Sequence, residues 1–409
     1  MNDDIVYDWN VAGGRRWTKR VVEIHDETLR DGIQCPSVTD PDIDVKKKIV
    51  RGLASLGVAS VNVGLPGAGP RAVHDTTVLV EVVRDEKLPI RVGAAARTHA
   101  NDIQPIVDIS QRTGVPIEVM TFLGSSPIRM LAEAWEETKL EEMTRAAVRQ
   151  GVSAGLPVSF VTEDTIRAHP TTLRKLFDAA VEEGASRLVL CDTVGHATPA
   201  GVSNLVRWVD AHLRGLGVRE RVKLDWHGHQ DRGLSLANAL AAVEAGCERI
   251  HGTLLGIGER VGNTPVDLLL VNLQLLQPER RDLTGLAALV DLVGAHCGVP
   301  IPVSYPVFGR DAFRTGTGVH AAAVIKAQAK GDDWLADRIY SGVPASWVGR
   351  RQEIEIGHQS GISNVRYWLQ ARGIEPREEL VRAIFDVAKQ QDRLLSDDEV
   401  LHIVKTVAV

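Results

Sequence analysis

The chain alternates short apolar runs with longer amphipathic segments over most of its length. Eight runs rich in β-branched residues occupy residues 21–25, 58–64, 90–95, 116–122, 157–161, 187–191, 222–227 and 249–254. Segments with helical periodicity lie between them, for example at 42–56, 171–183 and 234–245. Strands that are buried on both faces are continuously apolar, whereas the helices that cover them are amphipathic. The pattern therefore predicts an α/β fold built from eight strand–helix units.

Eight such units within about 250 residues are typical of a (β/α)₈ TIM barrel. A doubly wound open sheet is the alternative, and it is less favoured because no Gly-x-Gly-x-x-Gly follows the first strand. After the barrel only helices are predicted, at 284–295, 320–329, 362–371, 377–391 and 397–407. We therefore predict a catalytic barrel with a short N-terminal extension over residues 1–280 and a small, mainly helical C-terminal region over residues 281–409.

Composition narrows the classes of protein that this chain can be. Its 409 residues are 44% hydrophobic and carry a formal net charge of -6, which disfavours a nucleic-acid binder that relies on a basic surface. The four cysteines are far apart in sequence, which fits a reducing compartment better than a disulfide framework. No apolar run approaches the roughly 18 residues of a membrane span, and the N-terminus lacks a signal-like apolar segment. We expect a cytoplasmic protein without membrane or nucleic-acid partners.

Polar residues follow every predicted strand. In a barrel of this class they converge at the carboxyl-terminal rim, where chemistry takes place. The residues concerned are Asp26, Arg30, Asp31, Asn62, Arg97, His99, Thr121, Ser125, Glu163, Asp164, Asp192, Thr193, His227, His229 and the glycine-rich stretch 256–263. Gathering carboxylates, imidazoles and arginines at one rim costs desolvation energy, so a purely structural barrel has no reason to do it.

The His227-Gly228-His229 segment is a candidate metal site. Residues two apart on a strand point to the same side, so the two imidazoles need only a carboxylate or water to complete a set of ligands. The alternative is a pair of polar histidines at the end of a strand without a metal.

Three ordered motifs carry a resemblance to a known family. HDETLRDGIQ at 25–34, HGHQD at 227–231 and GIGERVGN at 256–263 resemble the 2-isopropylmalate synthase and homocitrate synthase family. The likeness continues through Gly318-Val319-His320 and Val348-Gly349-Arg350. It implies a divalent-metal enzyme, using Mg²⁺, Mn²⁺ or Zn²⁺, that condenses acetyl-CoA as co-substrate with a 2-oxo acid. Thioester hydrolysis then gives a 2-substituted malate.

The resemblance also implies roles for individual residues. Asp31, His227 and His229 match metal ligands, with Asn263 near or on the metal, and Arg30 matches the arginine beside the substrate carbonyl. Glu163 matches a catalytic position. Gln34, Asn62, Arg97, His99 and Thr193 match substrate-binding positions, and Gly256, Gly258, Glu259 and Arg260 match the acyl-CoA loop.

Structural roles remain as alternatives for several of these residues. Glu163 and Asp164 could cap a helix, and Thr193 could serve its turn. Arg97 could be an ion-pair partner. The glycines could simply allow a tight turn.

The helical C-terminal region resembles the two small C-terminal subdomains of the family. There, His320 and Tyr340 match an acid/base pair or orienting residues of the active site, and the resemblance implies a swapped homodimer in which they serve the partner's metal. It also implies that the leucine-binding regulatory domain of some synthases is lacking. As alternatives, His320 could satisfy its own helical turn and Tyr340 could be a packing aromatic.

Several positions depart from the family pattern. Ile33 and Asn62 stand where the family usually has Glu, Gln230 where it has Asn or Asp, and Arg232 where it has a small or apolar residue. One extra residue separates Gln34 from Lys46. These changes indicate an altered oxo-acid side chain, bulkier or more acidic.

Two other functions stay open at this point. A related metal-dependent lyase would cleave a hydroxyacyl-CoA or a hydroxy-oxo acid, and a non-catalytic binding protein would keep the scaffold alone. The 258–263 loop and the helical C-terminal region favour condensation over cleavage. A binding protein would be expected to have a broken metal set.

Overall fold

The computed structural model describes residues 5–10, 17, 21–277 and 281–407. The described residues form two compact units. The first lies within Met1–Asp282 and Leu289–Val299, and the second within Leu283–Ala288 and Pro300–Val409.

The first unit is the predicted barrel. Eight parallel strands pair in sequence order, and β8 pairs with β1 to close the sheet. The strands are β1 (Glu23–Asp26), β2 (Ser60–Asn62), β3 (Arg91–Arg97), β4 (Glu118–Gly124), β5 (Val158–Glu163), β6 (Arg187–Asp192), β7 (Lys223–Gly228) and β8 (Arg249–Gly252). Each overlaps one of the eight apolar runs, so the prediction of a TIM barrel is confirmed.

Helices connect the strands of the barrel. They are α1 (Ile43–Ser55), α2 (Pro70–Asp85), α3 (Ala100–Thr113), α4 (Pro127–Glu133), α5 (Glu137–Ser153), α6 (Pro170–Glu182), α7 (Pro199–Gly215), α8 (Ser235–Ala245) and α9 (Val266–Leu276). Side-chain caps fix where several of them begin. Asp42, for example, accepts hydrogen bonds from the amides of Asp44 and Val45 at the start of α1. Such a cap contributes about 1 kcal/mol to stability.

An apolar layer lies between strands and helices. Ile49 and Leu53 on α1, Leu176 on α6 and Val61 on β2 are all fully buried or nearly so. Burying one such side chain contributes roughly 1.5–3 kcal/mol, so this layer is the main source of barrel stability.

The interior of the barrel is ionic. Arg249 on β8 is fully buried and donates from Nε to Asp225 Oδ2 at 2.6 Å and from Nη1 to Glu118 Oε2 at 2.8 Å. Ser159 Oγ donates to the same glutamate. A buried charge without a partner costs several kcal/mol, so the charges of Arg249, Asp225 and Glu118 depend on one another.

The second unit is mainly helical. Its helices are α11 (Gly318–Ala329), α12 (Asp333–Arg338), α13 (Ile362–Ala371), α14 (Glu378–Lys389) and α15 (Asp397–Val407), and α10 (Leu286–His296) crosses the division between the units. One apolar cluster lies around Trp368 on α13, and a smaller one contains Val324 on α11.

The second unit also contains a small sheet that the sequence pattern did not predict. Strand β9 (Arg314–Thr315) pairs in parallel with β10 (Glu353–Ile354). Strands of two residues are too short to show a period of two. Across the described ranges, no helix is long and apolar enough to cross a membrane.

Candidate active site

Three potential metal ligands converge at the carboxyl-terminal rim of the barrel. Asp31 lies in the turn after β1, His227 near the end of β7 and His229 just beyond it. Asp31 Oδ2 is 3.2 Å from His227 Nε2 and 3.6 Å from His229 Nε2, and the two Nε2 atoms are 3.4 Å apart. All three residues are buried. The spacing brings one oxygen and two nitrogen donors to a common point.

The protonation states suit metal binding. Burial opposes ionisation of Asp31, but Arg30 and the two histidines outweigh it and hold the pKa of this carboxyl well below its usual value. Burial lowers the pKa of His229 to about 4, although Asp31 acts in the opposite direction. An ionised carboxylate and a neutral imidazole are the forms that bind metals.

Orphaned oxygen atoms support the same site. Asp31 Oδ1 and Asn263 Oδ1 are buried and have no hydrogen-bond partner within the described part of the chain. A buried acceptor without a partner costs about 1–3 kcal/mol, which a bound cation would offset. Carboxylate and amide oxygens combined with two imidazoles form a donor set that suits Mg²⁺, Mn²⁺ or Zn²⁺. The residues present therefore fit a divalent ion.

The glycine-rich loop packs directly against these ligands. His229 and Asn263 form an isolated antiparallel bridge. At Gly258, where φ is 150°, a Cβ atom would overlap Asn263 Nδ2 and lie 3.2 Å from Asp31 Oδ1. Gly256 and Gly262 also have positive φ, and a Cβ at 262 would overlap the Gly256 carbonyl. Close approach to the ligand cluster therefore requires glycine here, beyond the needs of a turn.

Arg30 lies beside the ligand cluster. Its Nε donates to Glu27 Oε2 at 2.7 Å, and its Nη1 is 3.3 Å from Asp31 Oδ2. Burial opposes its charge, but Glu27 and Asp31 outweigh that effect and raise the pKa of the guanidinium. Among the described residues, Nη2 donates no hydrogen bond, so one face of a permanently charged group is available to a ligand.

A cavity of about 220 Å³ opens onto this group of residues. Of the predicted site residues it is lined by Arg30, Asp31, Gln34, Asn62, Glu163, Thr193, His227, His229 and Glu259. Much of the remaining lining is apolar: Leu65, Ala95, Met120, Phe122 and Val161. The cavity thus combines potential metal ligands and a cation with apolar surface.

Glu163 and Thr193 differ in how they are engaged. Burial raises the pKa of Glu163, and its carboxylate makes no hydrogen bond or ion pair to any described residue. Thr193 Oγ1 accepts a hydrogen bond at 2.8 Å from the amide of Asp164, so its hydroxyl does serve a neighbouring turn. Asp164 does not cap with its side chain and instead pairs with Arg167 at 2.7 Å.

Arg260 secures the loop next to Gly258. Its Nε donates to Asp231 Oδ2 at 2.8 Å, and its Nη2 donates to the Thr193 carbonyl at 2.6 Å. These bonds link the loop after β8 to the loops after β7 and β6.

Arg97 and His99 do not line the cavity of about 220 Å³ that contains the candidate metal ligands. Arg97 forms a bidentate ion pair with Asp102, with its Nε 2.6 Å from Oδ2, and its side chain is 66% exposed. His99 precedes α3 and accepts a hydrogen bond from the amide of Asn101. Both line a neighbouring cavity of about 360 Å³, which shares Phe122 and Glu163 with the first.

His320 and Tyr340 belong to the second unit. Their ring centroids are 4.1 Å apart with an interplanar angle of 31°, and Tyr340 is half-exposed. His320 lies in the first turn of α11. The rings of His320 and Tyr340 therefore contact each other.

The predicted site residues do not include three buried residues at the cavity, His25, Glu27 and His251. Glu27 Oε1 is 3.3 Å from His25 Nε2 and 3.4 Å from His251 Nδ1. Glu27 and His251 also line the cavity. The sequence contains one local indication of the contact between Glu27 and Arg30, because these two residues are three positions apart. The contacts with His251 depend on closure of β8 against β1.

Comparison with known families supports the predicted resemblance. The family model described as HMGL-like matches residues 21–293. The probable 2-isopropylmalate synthase of Ignicoccus hospitalis is 30% identical over 393 residues, which cover 94% of this chain and 92% of that protein. The homocitrate synthase AksA of Methanothermobacter thermautotrophicus is 29% identical, with 94% of each chain covered. The predicted likeness to these synthases is thus confirmed.

Solved structures share the barrel. The HMG-CoA lyase of Bacillus subtilis superimposes with a TM-score of 0.57 at 19% identity, covering 70% of this chain and 97% of that chain. The hydroxymethylglutaryl-CoA lyase of Pseudomonas aeruginosa gives a TM-score of 0.55 at 20% identity, covering 68% and 93%. At such identities the likeness shows the fold alone.

Proposed function

Because this chain belongs to the HMGL-like family, we propose that it is a divalent-metal-dependent acyltransferase that condenses acetyl-CoA with a 2-oxo acid. The products are a 2-substituted malate and CoA. The observation that carries the proposal is the buried cluster of Asp31, His227 and His229, which shares one cavity with Arg30.

In this proposal Asp31, His227, His229 and Asn263 would hold the metal. When bound there, a divalent ion supplies Lewis-acid polarisation of the 2-oxo acid. Arg30 lines the cavity, and its Nη2 would donate to the ketone oxygen as that atom becomes an alkoxide. Asn62, Gln34 and Thr193 then surround the substrate as binding residues.

Carbon–carbon bond formation requires a base. Glu163 suits this role, because its carboxylate lines the cavity, has a raised pKa and is not held by an ion pair. It would remove a proton from the acetyl methyl group, and that carbon would attack the ketone. The alkoxide would take a proton from the His320 and Tyr340 pair supplied by the other protomer of a dimer. Water then cleaves the thioester and releases CoA, while Gly256, Gly258, Glu259 and Arg260 hold the acyl-CoA.

The cavity lining favours an apolar side chain on the oxo acid. Leu65, Met120 and Phe122 provide apolar surface, and the carboxylates of Glu163 and Glu259 would repel a second carboxylate. The sequence left two alternatives for the oxo-acid side chain, bulkier or more acidic. We propose the bulkier one, an alkyl substituent. Arg97 and His99 would act from the neighbouring cavity.

A thiol-release assay tests the function. Acetyl-CoA is incubated with each of a panel of 2-oxo acids that includes alkyl members and 2-oxoglutarate, and the products are identified by mass spectrometry. We expect thiol release that depends on both substrates, with a 2-alkylmalate as product. Thiol release without a condensed product, or cleavage of a hydroxyacyl-CoA without any condensation, would overturn the proposal.

We further propose a swapped homodimer in the cytoplasm, where free cysteines such as Cys35, Cys191, Cys247 and Cys297 persist. His320 and Tyr340 of one protomer would serve the metal site of its partner.

Complementation between two inactive variants tests this arrangement. A differently tagged Asp31→Ala subunit is co-refolded with a His320→Ala subunit, and mixed dimers are purified on both tags. If the residues act in trans, one site of each mixed dimer carries both defects and the other is intact. We expect about half of the wild-type activity per dimer, because one of the two sites is intact; loss of the acid/base group alone costs roughly 10²–10⁴ in rate. Tagged dimers of either variant alone are the control, and mixed dimers as inactive as these would refute the swap.

A further inference from the structure

We propose that Glu27 is a positioning residue that holds Arg30 in its catalytic orientation. The inference rests on the proposed role of Arg30. Glu27 is not one of the residues assigned above to metal, substrate or acyl-CoA.

The first support is the geometry of the Glu27 carboxylate. It is 1% exposed, and it uses one oxygen for Arg30 and the other for two imidazoles. Oε2 accepts from Arg30 Nε at 2.7 Å, whereas Oε1 faces His25 Nε2 and His251 Nδ1. A buried carboxylate that is hydrogen-bonded to Arg30 through one oxygen and lies close to two imidazoles through the other has little freedom to follow a moving arginine.

The second support is that the two imidazoles are themselves anchored. His25 Nδ1 lies 2.7 Å from Ser60 Oγ, and His251 Nε2 lies 3.1 Å from Asp225 Oδ2. Asp225 in turn is held by Arg249 in the barrel interior. A continuous set of buried polar contacts therefore runs from strands β1, β2, β7 and β8 to the Glu27 carboxylate.

This anchoring matters because of what an arginine side chain would do without it. An arginine side chain has many rotamers, and it loses conformational entropy when it is fixed in one of them. Fixing Nε at Glu27 directs the remaining fork, leaving Nη1 near Asp31 and Nη2 for the ligand. Without that restraint the guanidinium could turn fully to Asp31 or toward solvent.

The neighbouring strand offers a means of rescue. Strands β1 and β2 pair with His25 opposite Ser60 and Asp26 opposite Val61, so the next step of the register puts Asn62 beside Glu27. Both residues line the cavity together with Arg30. A glutamate at 62 could therefore supply a carboxylate to Arg30 from the adjacent strand.

The experiment compares Glu27→Gln, Glu27→Thr and the double variant Glu27→Thr/Asn62→Glu. Asp210→Asn is the matched control, because Asp210 on α7 accepts a hydrogen bond from Nε of the buried Arg219 at 2.6 Å and does not line the cavity. Thermal unfolding, kcat and KM by thiol release, and the crystal structure of each variant are measured. We expect Glu27→Gln to lower kcat about 10²-fold with little change in KM for acetyl-CoA, since misplacing a catalytic group by about 1 Å has an effect of that size.

The other variants separate positioning from stability. We expect Asp210→Asn to lower the unfolding temperature without lowering kcat, and the double variant to recover at least about tenfold in kcat over Glu27→Thr. A Glu27→Gln structure with Arg30 unmoved and kcat within about twofold of wild type would refute the positioning role. Binding of two divalent ions per chain, one of them lost in Glu27→Gln, would make Glu27 a ligand and would refute it as well.

Failure of the proposed function is a separate outcome. It would appear as wild-type protein that releases no thiol with any 2-oxo acid. The position of Arg30 in the two crystal structures still decides the inference in that case, because displacement of its guanidinium does not depend on turnover.

Discussion

Replacing His227 with alanine is expected to remove the bound divalent ion and to lower kcat by at least roughly 10³-fold. Metal-ion catalysis contributes several kcal/mol of transition-state stabilisation, and each 1.36 kcal/mol corresponds to about tenfold in rate. His227 Nε2 lies 3.2 Å from Asp31 Oδ2 and 3.4 Å from His229 Nε2, so loss of His227 leaves the ligand set incomplete. Metal content by elemental analysis and the thiol-release rate measure the two effects.

His212→Ala is the matched control. His212 also pairs with a carboxylate, Asp178, at 2.7 Å, but it lies on α7 away from the cavity lining. Its replacement should leave metal content and kcat unchanged. Chelation of the wild-type enzyme should reproduce the His227→Ala defect, and added Mg²⁺, Mn²⁺ or Zn²⁺ should reverse only the chelated sample. A His227→Ala protein with full metal and full activity would contradict the assignment of this ligand.

Arg30→Ala is expected to lower kcat about 10²-fold or more while changing the affinity for the oxo acid much less. The reason is that a donor to a developing alkoxide acts mainly on the transition state. Steady-state kcat and KM for the oxo acid, together with calorimetric binding of that acid in the presence of metal, separate the two effects.

Two further variants sharpen this test. Arg30→Lys keeps a charge but loses the fork that joins Glu27 to the cavity, so it should recover only part of the activity. Arg149→Ala removes an exposed arginine that pairs with Glu183, and it should have no effect. Loss of oxo-acid affinity in Arg30→Ala with an unchanged kcat would assign Arg30 to substrate binding instead.

The barrel was predictable because its signal is repeated. Eight apolar runs separated by amphipathic segments leave few alternatives, and handedness and order follow from general rules of parallel sheets. The convergence of Asp31 with His227 followed for the same reason, because the ends of strands meet at one rim of a barrel. Knowing which residues follow which strands was sufficient.

Residues inside the barrel were harder to predict. Glu27 contacts His25, which is close in sequence, and His251, which is more than 200 positions away. No local sequence pattern encodes the contact with His251. A buried histidine on an apolar strand has the same sequence signature with or without a partner. Arg97 illustrates the reverse difficulty, since a rim arginine looks the same in sequence whether it meets a ligand or pairs with Asp102.

The ionic interior of the barrel has a consequence for the order of folding. Glu118 on β4 pairs with Arg249, which enters only with the last strand. Asp225 on β7 also pairs with Arg249, but it has a second partner in Arg187 on β6. A nascent chain that has emerged as far as β7 therefore holds one acidic group, Glu118, whose cationic partner has not yet been made. We expect the early strands to stay loosely associated on the ribosome, and the sheet to consolidate in one late step once residue 252 has left the exit tunnel. Fragments that end before β8 should remain hydrated and open to proteases.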